Sequence, residues 1–196
     1  MIAMPDEHWK TKESAGYAHD ILFQGEEADC GICCCAMVIN LKDGSRPTSR
    51  AIQTRLPAGH YIKARSDRAG LRATPFAVAA PPASVDAGTL LDGISVALTA
   101  FDIRHTKYGG GGLKQALQNA SRQKPVIVQV QWKNGGYHWV VIARSLGNAQ
   151  LVLDPAYGMH INHSTQSYTG FVGNSWTDGG TKTEHGTWMQ EWLTVD

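Results

Sequence analysis

The chain has 196 residues, 42% of them hydrophobic and 18% charged, so it can bury a core and is not a disordered segment. Its 18 basic and 17 acidic side chains leave a formal net charge of +1, which argues against nucleic acid or an anionic membrane as the main partner. No apolar run of about 18 residues occurs, so no membrane span is expected, and the polar opening from Met1 to Lys12 lacks the apolar centre of a signal peptide, so synthesis in the cytoplasm is expected.

Residues 1–21 read as a loosely ordered lead-in. From Cys30 to about Leu41 the sequence is apolar nearly all round, which predicts a buried helix, with Asp29 as its N-cap. All 4 cysteines, Cys30, Cys33, Cys34 and Cys35, fall in this helix. So tight a cluster cannot close the long loops of a disulfide framework. Helical spacing puts Cys30 and Cys34 on one face. Cys33 to Cys35 read as small buried apolar residues rather than metal ligands, and reduced thiols suit a reducing compartment. Thr48 or Ser49 caps a short helix that ends before Pro57, and residues 57–88, rich in proline and glycine, read as loop. Residues 89–101 predict an amphipathic helix despite Gly93. Gly109 to Gly112 is a break, read as plain loop.

Leu113 to Gln123 predicts another helix, stopped by Pro125. A strand over Val126–Trp132, a turn at Lys133-Asn134-Gly135-Gly136, a strand over Tyr137–Ala143, a turn at 146–148 and a strand over Gln150–Leu153 make an antiparallel meander. Residues 159–196 read as a β-rich C-terminal extension packed on the same domain. Its tryptophans read as a small core of their own rather than as walls of a substrate cleft.

The chemistry lies in four residues in a fixed order: Gln24, Cys30, His138 and Asp154. A cysteine nucleophile, a histidine base, a carboxylate that orients the histidine and an amide that helps hold an oxyanion make up a thiol hydrolase. Cys30 in the first turn of a helix meets the positive end of the helix dipole, which favours a thiolate. Gly31 leaves the backbone open to a substrate carbonyl, and the backbone N–H of Cys30 with the Gln24 side chain would form an oxyanion hole. In an ideal hairpin centred near Leu146, His138 lies directly opposite Asp154, with Cβ atoms about 4.5–5.5 Å apart, and a slip of one residue would separate them onto opposite faces. Taken singly, Cys30 is one more buried thiol, His138 a sheet residue and Asp154 the start of an Asp-Pro turn. The ordered set favours the catalytic reading. Asn174-Ser175-Trp176 reads as a structural turn, and His160 and His163 read as surface histidines.

These residues resemble a known family. Gln24, Cys30-Gly31 and Ala36-Met37, then Lys124-Pro125-Val126-Ile127-Val128, His138-Trp139-Val140-Val141 and Asp154-Pro155 with Gly158, are similar to the C39 peptidase domain found on bacteriocin-exporting transporters. The blocks cover roughly residues 22–41 and 113–158. The resemblance implies an α+β, papain-like cysteine peptidase fold over residues 22–158, its central N-terminal helix carrying the nucleophile and packed on an antiparallel β-sheet, with residues 159–196 as the extension. It implies Cys30 as nucleophile, His138 as general base and acid, Asp154 as orienting group, Gln24 as oxyanion-hole donor, a protein or peptide substrate, and no metal or organic cofactor. The Asn-Ser-Trp segment is similar to the one carrying the third catalytic residue in papain, but Asp154 is better placed.

The chain also departs from the transporter domain. It carries no membrane or nucleotide-binding domain, and about 38 residues follow the Asp-Pro turn. Free-standing relatives include bacterial effectors and toxins delivered to other cells, and a toxin would imply an immunity or chaperone partner. Deamidation or transglutamination of glutamine side chains by the same residues, and a non-enzymatic binding module on the same scaffold, are the rival readings. If Gln24 donates to an oxyanion, Gln24→Ala lowers turnover by roughly 100- to 1000-fold in a steady-state assay.

Overall fold

The computed structural model describes residues 9–24, 30–56, 89–133, 137–171 and 183–196. The expected N-cap Asp29, the 57–88 loop, the turn residues 134–136 and Asn174-Ser175-Trp176 lie outside the described residues.

The architecture is α+β. Strands β1 (Trp9–Ser14) and β2 (Tyr17–Leu22) pair antiparallel as a hairpin of their own. Of the segment expected to be a loose lead-in, the described residues from Trp9 onward are therefore ordered. Ala15 (φ 52°) and Gly16 (φ 75°) make the tight turn, whose two left-handed residues match strand twist. Ile21, Leu22 and Phe23 then enter the core. Helix α1 (Cys30–Asp43) is buried from Cys30 to Leu41, as its apolar sequence predicts. It ends at Gly44, whose left-handed φ of 78° suits a residue without Cβ, and whose N–H donates to the Asn40 carbonyl at 2.8 Å. The Asn40 side-chain amide donates to the carbonyls of Gly44 and Ser45.

Helix α2 (Ser49–Arg55) is capped by Thr48, whose Oγ1 accepts the Ala51 N–H at 3.0 Å. Helix α3 (Leu91–Ala100) packs on α1, burying Ile94, Ala97 and Leu98. Strand β3 (His105–Gly109) follows, where no strand was expected. Helix α4 (Leu113–Asn119) stops short of Pro125, because Ser121 and Lys124 close a turn through their backbone groups.

The meander forms as β4 (Val126–Trp132), β5 (Tyr137–Leu146) and β6 (Ala149–Asp154), and β7 (Gly158–Asn162) extends it. With strands β8 (Ser167–Phe171) and β9 (Thr183–Val195), the described residues form a seven-stranded sheet of order β3-β9-β4-β5-β6-β7, with β8 paired to β9. Strand β9 is thus internal. One edge pairs with β4, while the other is shared between β8 and β3. Within residues 159–196, expected as a β-rich extension, the described residues supply most of β7 and all of β8 and β9, strands of the same sheet. Trp188 and Trp192, four residues apart in this thirteen-residue strand, share one face, and the two-residue register shift opposite Val128 and Val130 leaves that parity unchanged.

The sheet separates two apolar clusters. One joins α1 and α3 to Ile127, Trp139, Val141, Leu153 and Leu193. The other joins Leu113 and Leu117 of α4 to Val128, Val140, Val152, Tyr168, Trp188 and Trp192. The C-terminal tryptophans Trp188 and Trp192 therefore belong to a core shared with the sheet, not to a small core of their own.

Trp192 is 3% exposed and stacks on Tyr108 at 4.0 Å between centroids. Trp192→Ala should destabilise the whole domain by about 3–5 kcal/mol, read as a lower midpoint in urea unfolding followed by far-UV dichroism.

Candidate active site

The β5–β6 hairpin turns at Gly147–Asn148, with Leu146 facing Ala149 and Ser145 facing Gln150. Continued unchanged, that register would put His138 and Asp154 on opposite faces of the sheet. A β-bulge intervenes. Ile142 faces Val152 and Arg144 faces Leu151, so Ala143 is one residue more than the partner strand supplies. Beyond it Val141 faces Leu153, and His138 and Asp154 return to one face as diagonal neighbours. The direct opposition expected of an ideal hairpin does not occur. The pairing survives because the bulge restores the parity.

His138 Nε2–H donates to Asp154 Oδ1 at 2.8 Å. Asp154 is fully buried and His138 is 5% exposed. The carboxylate is satisfied on both oxygens. Oδ1 also accepts the backbone N–H groups of Ala156 (2.7 Å) and Tyr157 (3.1 Å), the geometry that an Asp-Pro turn offers. Oδ2 accepts the hydroxyl of Tyr168. Cys30, in the first turn of α1 and 7% exposed, lies near enough to His138 to help raise its pKa. With Nε2 engaged by Asp154, Nδ1 is the ring nitrogen left for the thiol.

The electrostatics follow from this arrangement. Burial pushes the His138 pKa down, but the Asp154 carboxylate and then the Cys30 sulfur outweigh it, and the net direction is well above 6.5. Burial pushes Asp154 up, but the His138 charge and hydrogen bond, then His160 and Tyr168, bring it below 3.8. The two shifts agree: this is an aspartate–imidazolium pair. Trp132 stacks on the His138 ring at 5.4 Å and 24°, and Tyr157 lies 6.4 Å from it. Aromatic faces fill the space around the imidazole and favour its cationic form. A cleft of about 510 Å³ opens beside Trp132, lined also by Gln131, Lys133, His185, Gly186 and Thr187.

Gln24 follows β2, and its backbone N–H donates to the Pro155 carbonyl at 2.9 Å, which ties it to the turn next to Asp154. Its Oε1 is buried without a hydrogen-bond partner among the described residues. Gly31 does not leave the backbone open. A Cβ there would lie 2.4 Å from Thr89 Cβ, so Thr89 occupies the space expected for a substrate. Thr89 is itself buried, and its carbonyl accepts the Trp139 indole N–H at 2.7 Å. Gly31 therefore permits close packing of the chain before α3 onto the start of α1.

His163 is exposed, as expected, but His160 is not a surface residue. It is 4% exposed, beside Asp154 and Tyr168, because its partner across the sheet, Val152, faces the second core. Burial holds its pKa below 6.5. Cys33, Cys34 and Cys35 are fully buried; burial raises Cys34 and Cys35, which makes them inert packing.

Sequence reasoning also missed Tyr168, Trp132 and Thr89 as neighbours of the site. Among the described residues, no group of three or more His, Cys, Asp or Glu is arranged to hold a metal ion, and no helix is long and apolar enough to cross a membrane. Neither protein-family models nor curated proteins give a match to this chain.

The pair should show itself in stability. His138 is raised, so its contribution is complete below pH 6.5 and is lost as pH rises through its folded value. Asp154 is lowered, so its contribution is complete above pH 3.8 and is lost as pH falls through its folded value. The stability gap between wild type and the double variant His138→Gln/Asp154→Asn should therefore be widest between pH 3.8 and 6.5 and narrow on either side. Urea unfolding of both proteins across that range and up to alkaline pH measures it.

Proposed function

We propose that the chain is a papain-like cysteine peptidase of the C39-like type, with Cys30 as nucleophile, His138 as acid and base, Asp154 as orienting group and Gln24 as oxyanion-hole donor. One observation carries the reading: a buried imidazole hydrogen-bonded to a fully buried carboxylate, beside the thiol at the start of a buried helix. Helix α1 packed on an antiparallel sheet, with His138 and Asp154 on adjacent strands, is the arrangement that this reading requires.

In the proposed cycle, His138 enters as imidazolium and Cys30 as thiolate. The thiolate adds to an amide carbonyl, and its oxygen takes up the negative charge, which the Cys30 backbone N–H and the Gln24 amide would stabilise. The tetrahedral intermediate collapses, the C–N bond breaks, and the departing amine takes the Nδ1 proton of His138. The neutral imidazole then accepts a proton from water as that water attacks the thioester. Release of the acid restores thiolate and imidazolium. Throughout, Asp154 keeps Nε2–H engaged and so leaves Nδ1 facing the sulfur.

The test is a mass-spectrometric comparison of lysates treated with wild type or with Cys30→Ala, read for new N-termini and for glutamine deamidation. Cys30→Ala is expected to fold normally and to produce no cleavage. New N-termini that share a motif and appear only with wild type support the peptidase. Deamidated glutamines without new termini would move the protein to side-chain acyl transfer, and cleavage by Cys30→Ala equal to wild type would sink the assignment.

A further inference from the structure

We infer that Tyr168 is a positioning residue for this reaction, a fifth member of the site that acts through Asp154; the inference rests on the thiol-hydrolase reading above. Its hydroxyl donates to Asp154 Oδ2, while His138 and two backbone N–H groups occupy Oδ1. The carboxylate is thus held from both ends and cannot rotate its Oδ1 away from the imidazole. Tyr168 is fully buried, and burial followed by the Asp154 charge keeps its phenol protonated far above its ordinary range. It therefore donates at every pH at which the protein works.

The fold makes room for this contact. Gly186 of β9 lies directly across from both Tyr168 of β8 and Trp132 of β4. A Cβ at Gly186 would come within 2.4 Å of Val130 Cγ1 and 3.0 Å of the Gln131 carbonyl. The bare backbone lets the Tyr168 and Trp132 rings approach to 5.5 Å, one reaching Asp154 and the other stacked on His138. Strands β8 and β4, paired to β9 on either side of Gly186, thus hold the two halves of the aspartate–imidazole pair.

The groups facing Asp154 are His138 from β5, His160 from β7, Tyr168 from β8 and Cys34 from α1, and Cys30 and Tyr157 complete the surroundings of His138 and Tyr168. Of these, Tyr168 alone donates a side-chain hydrogen bond to Oδ2 among the described residues. Without that bond Oδ2 is buried and unpaired, and the carboxylate holds the imidazolium proton more tightly.

The experiment measures kcat, KM and the pH dependence of Cys30 alkylation by iodoacetamide in folded protein, for wild type, His138→Ala, Asp154→Asn, Tyr168→Phe and the Asp154→Asn/Tyr168→Phe double variant. Tyr168→Phe should lower kcat by about 10- to 100-fold, as loss of the group that orients a functional histidine's partner does, with KM unchanged. It should move the alkaline limb of the pH profile upward. In the Asp154→Asn background it should cost nothing further.

Site-specific 3-fluorotyrosine at position 168, a stronger donor of nearly the same shape, should move the limb downward, and it serves as the test should Tyr168→Phe not fold. A lower melting temperature with kcat and pH profile unmoved, or a limb that moves the other way, overturns the inference. So does full additivity with Asp154→Asn. Alkylation separates this from the parent reading: if wild-type Cys30 reacts no faster than in His138→Ala, the hydrolase reading itself fails. If His138 accelerates it and Tyr168→Phe matches wild type, only the role of Tyr168 fails.

Discussion

A fully buried carboxylate organises this molecule. Removing Asp154 from water costs several kcal/mol unless its charge is matched and its oxygens are bonded. The chain meets that cost from four directions: the imidazole of β5, two backbone N–H groups of the Asp-Pro turn, and the phenol of β8. The donors come from β5, from the turn after β6 and from β8, so the carboxylate constrains β5, β6 and β8 together. The raised His138 pKa and the lowered Asp154 pKa are two descriptions of this one interaction.

That hub forms only because the β5–β6 ladder is irregular. Sheet geometry has a period of two, and a turn at Gly147–Asn148 by itself sends His138 and Asp154 to opposite faces. The single extra residue at Ala143, buried with Trp139 and Val141 against the helical core, corrects the parity. Where one missing residue would separate a histidine from its carboxylate, the bulge is part of the site.

The same reasoning explains the C-terminal strand. β9 enters between β3 and β4, and through Trp188 and Trp192 it builds the second core cluster that covers the face of Val140 and Val152. The site is then enclosed by chain from both ends of the sequence: Gln24 hydrogen-bonded to Pro155, Thr89 seated over Gly31, and Tyr168 and Trp132 meeting above Gly186.

Local patterns in the sequence were enough to show the buried helix α1, from a run of apolar residues with no polar face. They also showed the strands of the meander, from their β-branched runs between glycine turns, and the ordered set of Gln24, Cys30, His138 and Asp154. The Asp-Pro turn was legible because an aspartate side chain bonds its own downstream backbone. What only the tertiary structure decided is the bulge at Ala143, the burial of His160, the contact of Tyr168 with Asp154, the seat of Thr89 on Gly31 and the internal place of β9. None of these leaves a local signal. A bulge is selected by which side chains the core accepts, and a strand far along the chain is placed by the edge and apolar face that await it. Both are settled by packing between segments distant in sequence, which periodicity and turn chemistry do not encode.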